Sequence, residues 1–102
     1  MYNRCWTPFL DRLGITDPFL TDIDDKIPIF RVFAQRLRDG RLSRSGNAIK
    51  SAHVRDEIFR VAKTFTGMGL QDPRLTKQGL MDPRLTSLYR AWAKSRAPGR
   101  EP

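Results

Sequence analysis

Apolar side chains recur along this chain at three- and four-residue spacings and rarely alternate, a pattern that predicts helices and no convincing strand. Four stretches carry it. The first covers residues 1–13, where Trp6, Phe9, Leu10 and Leu13 form one stripe and Pro8 must sit in the first turn or break it. With aromatics so close to Met1, this first helix is expected to be incomplete. Gly14 is expected to stop it, and residues 14–20 read as a turn in which Pro18 restricts Asp17. The second helix begins near Pro28, carries Phe30, Phe33, Ala34 and Leu37 on its apolar stripe, and ends at Asp39 and Gly40. On the same wheel Arg31, Gln35 and Arg38 cluster on another side. The third has the clearest stripe. Ser51 is its expected N-cap, Val54, Ile58, Val61 and Phe65 fall within an arc of about 60°, and Gly67 or Gly69 stops it. Phe59 lies off that stripe, so it either packs on a second element or faces solvent.

A short internal repeat precedes the fourth helix. Asp72-Pro73-Arg74-Leu75-Thr76 recurs as Asp82-Pro83-Arg84-Leu85-Thr86, and in each copy Asp can cap a helix that Pro opens. The first copy has room for one turn at most before Gly79. The second continues through Leu88, Tyr89 and Trp92 as an amphipathic helix. The expected fold is therefore an all-α bundle of about four helices in one domain over residues 1–96, with 97–102 as a flexible tail or linker.

Composition narrows the function classes. The 102 residues are 39% hydrophobic with ten aromatics, enough for one modest core, and no apolar run approaches a membrane span. One cysteine, Cys5, precludes an internal disulfide and suits a reducing compartment; the expected location is intracellular, and nuclear in a eukaryotic source. With one histidine and one cysteine there are too few such ligands for a zinc site, and no phosphate-binding glycine loop is present. Asp22, Asp24 and Asp25 lack calcium-loop spacing and read as a solvated acidic turn before a helix. His53 has no nucleophile or orienting partner, and Tyr89 lies on an apolar stripe, so both read as structural or surface residues. No catalytic residue, cofactor or metal is expected.

Charge changes the picture more. The net charge is +8, but residues 1–30 carry three basic and five acidic side chains while residues 31–102 carry the other sixteen and six. Such a basic block concentrates polyanions. Arg31 and Arg38 of the second helix, Arg41 and Arg44 of the loop, Lys50, and Arg60 and Lys63 of the third helix are the candidate DNA-binding set. Duplex phosphates need repeated, spaced cations rather than one constellation, and nothing here identifies a base-reading side chain. A helical protein–protein interaction module with a basic surface is the alternative, and an RNA-associated basic protein a third reading.

Taken in order, Trp6, Gly14-Ile15, Asp17-Pro18-Phe19-Leu20, the helix Phe30–Arg38 with Asp39-Gly40, Ser45-Gly46-Asn47, the stripe Val54/Ile58/Val61/Phe65 and Gly69-x-x-Asp72-Pro73-Arg74-Leu75 make a specific series. Together they resemble the N-terminal, core-binding region of crypton-like tyrosine recombinases over residues 6–96. The resemblance implies a small helical bundle similar to the sterile-alpha-motif-like N-terminal domains of phage integrases. It further implies that this region clamps one side of duplex DNA, with a catalytic recombinase domain or a second copy as further partners. Strand cleavage is not implied. The family's His-x-x-Arg motif has no match, since His53 is followed by Val54, Arg55 and Asp56. Pro83 stands where similar sequences often carry a bulkier residue, a departure that bears on where the last helix starts. Purified protein is accordingly expected to leave supercoiled plasmid unchanged in topology, with or without divalent metal; relaxation abolished by Tyr89→Phe would overturn that reading.

Overall fold

A computed structural model describes residues 5–42 and 50–95. The chain is all-α: helices α1 (Trp6–Arg12), α2 (Ile27–Arg38), α3 (Ser51–Gly67) and α4 (Pro83–Ser95) form a small bundle, and the described residues contain no strand beyond a lone bridge between Leu75 and Met81. The three longer helices pack pairwise. Their directions follow from contacts near their ends. Phe30, early in α2, meets Phe65, late in α3, with ring centroids 6.2 Å apart. The Arg38 guanidinium at the end of α2 lies 4.8 Å from the Trp92 ring late in α4, while Asp25, just before α2, grips Arg84 at the start of α4 at 2.7 Å. Thus α2 and α4 run in the same direction and α3 runs against both.

Local sequence sets the helix ends. Pro8 falls in the first turn of α1, where its missing N–H costs nothing. Gly14 takes φ 74° past the end of α1, and Gly40 takes φ 84° past the end of α2, where the Arg41 N–H returns to the Arg36 carbonyl at 3.0 Å. The helix α2 opens one residue before Pro28, at Ile27. The cap position of α3 falls on Lys50 and not on Ser51, which is the first helical residue. Asp82 accepts from the Arg84 N–H at 2.9 Å and so caps α4. Its counterpart Asp72 makes the same bond to Arg74 at 2.9 Å but supports a single turn, because the chain then doubles back. The two copies meet across that reversal: the Asp82 N–H bonds the Arg74 carbonyl at 2.9 Å.

The core joins all four helices. The predicted stripes on α2, α3 and α4 supply it with Phe30, Phe33, Ala34, Leu37, Val54, Ile58, Val61, Phe65, Leu85, Leu88 and Trp92, while Tyr89 of the α4 stripe is only partly buried against it. From α1 it takes Trp6, Phe9 and Leu10, while Leu13 is exposed. Trp6 stacks on Phe30 (4.9 Å, 13°), meets Phe33 edge-on (5.0 Å, 78°) and donates its indole N–H to the Pro18 carbonyl at 2.9 Å. The connection from α1 to α2 contributes Leu20, buried despite a φ of 53°. Its left-handed backbone is held by Asp17, whose carboxylate accepts from the backbone N–H groups of Phe19 and Thr21 and from the Thr21 hydroxyl.

Two substitutions on α3 separate core from surface. Val61→Asp places an unpaired charge at a site with no exposure and should cost about 3–5 kcal/mol, much of a domain's stability. Two residues away, Phe59→Ala at a half-exposed site should cost about 1 kcal/mol or less. Thermal melts that rank the two equally would show the helix to be turned about its axis.

Candidate nucleic-acid interface

The topology sorts charge along the bundle. One end gathers the last turns of α2 and α4 with the first turns of α3, and it carries Arg41, Lys50, Arg55 and Arg90, all exposed. Asp39, Asp56 and Glu57 share that end, yet among the described residues none of these four cations is ion-paired to a carboxylate. The opposite end gathers the residues before α2, the end of α3 and the residues before α4. It carries Asp17, Asp22, Asp24, Asp25, Asp72 and Asp82 together with Lys26 and Lys77, and its arginines are committed. Arg84 spans Asp25 (2.7 and 3.0 Å) and Asp82 (3.0 Å to each carboxylate oxygen). Arg74 forks onto Asp72 at 2.7 and 3.0 Å.

The sequence-predicted cations do not gather as one face. Arg41, Lys50 and Lys63 are exposed, as is Arg31, which lies about 10 Å short of the end of α2 along its axis. Arg60 is exposed but bonds Glu57 at 2.7 Å. Arg38 departs from the exposed polar side on which the helical wheel places it. It is only 6% exposed and lies over Trp92. Its wheel position is only about 40° from Ala34; because α4 packs there as well as α3, the buried arc widens past the apolar stripe and takes it in. Arg44 lies outside the described residues, as does most of its loop.

Sequence reasoning missed Arg55. It precedes Phe59 and Lys63 at four-residue spacing, so the three line one flank of α3. The Arg55 guanidinium lies 4.7 Å from the Tyr89 ring, and around Phe59 the Lys63 ammonium and Arg74 guanidinium sit at 5.6 and 5.3 Å. That spacing is the available signal; the apolar stripe alone leaves Phe59 as an outlier. Burial raises the Tyr89 phenol above its ordinary value, an effect that Arg55 and Arg74 partly offset.

On the acidic side, a groove of about 710 Å³ runs between the segment before α2 and the chain reversal before α4. Phe19, Ile27, Phe65 and Leu75 supply its apolar lining, and the Asp25–Arg84–Asp82 clasp lies along it. Hydrogen bonds from Arg84 hold the Asp25 and Asp82 carboxyls below the ordinary range, and the Thr21 hydroxyl with two backbone N–H groups does the same for Asp17. For Asp72, burial pushes upward but the Arg74 bonds outweigh it, so it too is lowered. No group of three or more potential metal ligands exists among the described residues, and no described helix is long and apolar enough to cross a membrane. No protein-family model matches the chain, and neither a curated protein nor a solved structure does.

The clasp generates a pH test. Carboxyls whose folded pKa is depressed contribute stability that is complete above the ordinary carboxylate range, near 4, and is lost as pH falls through the depressed folded values. The melting temperature should therefore be level from neutrality to about pH 5 and decline below about pH 4. Arg84→Ala should lower it at neutral pH and make the acid decline shallower; superimposable acid profiles would show that the clasp contributes nothing.

Proposed function

We propose that this chain is a non-catalytic, duplex-DNA-binding module of tyrosine-recombinase type. The observation that carries the reading is the end of the bundle bearing Arg41, Lys50, Arg55 and Arg90, exposed cations with no carboxylate ion pair among the described residues. A folded protein gains little from crowding like charges, whereas a polyanion gains from each one through the counterions it sheds on contact. Three helix ends hold these side chains on a packed scaffold, so they keep their spacing when a duplex arrives. The resemblance to crypton-like recombinases supports the same partner, and the all-helical bundle agrees with the architecture it implies. The six carboxylates at the opposite end disfavour phosphate there and so help to orient the module.

Salt dependence tests this. Anisotropy titrations with labelled duplex should give a log–log slope of about −0.9 for each phosphate neutralised. Replacing Arg41, Lys50 and Arg55 together by Ala should flatten that slope by about 2.7 if each meets one phosphate, with helicity intact because none lies in the core. Arg60→Ala, which removes a cation bonded to Glu57, should change little. A triple variant that keeps both affinity and slope would place the duplex elsewhere; a parent protein that binds no duplex would favour the protein-interaction alternative.

A further inference from the structure

The flank of α3 next to the basic end presents a different chemistry. Phe59 is 47% exposed and is the one aromatic ring among the exposed large hydrophobics of the described residues. Its ring is flanked by two cations from different parts of the fold, Lys63 one turn along the helix at 5.6 Å and Arg74 from the first copy of the repeat at 5.3 Å. Their roles differ. Arg74 is locked onto Asp72 by two bonds and so holds its guanidinium over the ring, its charge largely matched. Lys63 is exposed and unpaired with any described carboxylate, as is Arg55 one turn in the other direction. The stripe therefore reads cation, flat ring, cation, at about 6 Å per step along the helix axis.

A duplex held by its phosphates gains little from that ring. Its bases are stacked inside, and it offers an outer surface of phosphate and sugar to which a phenyl face contributes little. An unpaired nucleotide offers a flat base and a phosphate within one residue, which is the pairing that this stripe complements. We infer that Phe59 is a stacking platform for an unpaired nucleobase, with Lys63 and Arg55 holding the phosphates on either side of it and Arg74 backing the ring. The inference rests on the nucleic-acid reading above and deepens it. The preferred ligand becomes a strand that is single or locally opened beside the duplex seat, and neither base identity nor cleavage is involved.

Three probes separate the two proposals: a short labelled oligothymidine, an abasic strand of equal length, and a duplex. The parent protein should bind oligothymidine about 5- to 150-fold more tightly than the abasic strand, the range that one stacked base supplies. Phe59→Ala should erase that difference while leaving duplex affinity unchanged. Phe59→Leu, which keeps apolar bulk but loses the flat face, should behave like the alanine variant, and Phe59→Trp should keep the preference. Equal binding of oligothymidine and abasic strand by the parent, an unaltered preference in both the Ala and Leu variants, or parallel losses on strand and duplex would each overturn the stacking role. Duplex binding that survives those results leaves the phosphate-binding function standing; oligothymidine binding without any duplex binding removes the duplex reading and leaves the stacking platform.

Discussion

The aromatic junction around Trp6 is the contact on which the rest of the molecule depends. A chain of 102 residues has room for one core, and α1 is only seven residues long, too short to persist by its own hydrogen bonds. Trp6 ties it down three ways: stacked on Phe30, edge-on to Phe33, and hydrogen-bonded to the Pro18 carbonyl. The last bond also fixes the turn in which Asp17 holds Leu20 in its left-handed conformation and sends Leu20 into the core. Phe30 in turn meets Phe65, which sets α3 against α2. Every display of charge on the surface inherits its position from this arrangement.

Two kinds of electrostatics follow. At the end that begins α2 and α4, arginines are matched to carboxylates, and the Asp25–Arg84–Asp82 clasp joins segments that are far apart in sequence. These exposed pairs fix geometry more than they add stability. At the other end the cations have no described carboxylate partner in an ion pair, which is poor for a monomer and useful for meeting a polyanion. Between the two lies the α3 flank, where cations rest against rings instead of carboxylates. The same amino acid, arginine, thus serves as a staple, as a ring cover and as a surface charge within one small bundle.

The helices and the core were legible in the sequence because the apolar spacing is nearly uninterrupted: the stripes of α2, α3 and α4 could be read residue by residue. Leu20 could not, since its burial depends on a positive φ secured by Asp17 rather than on periodicity. Arg38 is more buried than its wheel position suggests for a related reason. A single-helix wheel assumes one packing partner, and α2 has both α3 and α4 against it, so an arginine beside the stripe is covered by Trp92. Local pattern shows the pentapeptide repeat as a reused helix start, which holds for the second copy alone, but not as the two arms of a reversal that bond each other and bring Arg74 over Phe59. Pairing across sequence distance is what local pattern cannot supply, and the α3 flank depends on it.

Mapping the contact surface directly decides whether the polarity of the bundle has the meaning given to it here. Amide chemical shifts of isotope-labelled protein, followed during titration with duplex DNA at moderate salt, report which residues the duplex approaches. Shifts concentrated at Arg41, Lys50 and Arg55, with Asp17 to Asp25 undisturbed, are the expected result. Shifts centred on the Asp25–Arg84 clasp and the groove beside it, or no shifts at all, would contradict the account.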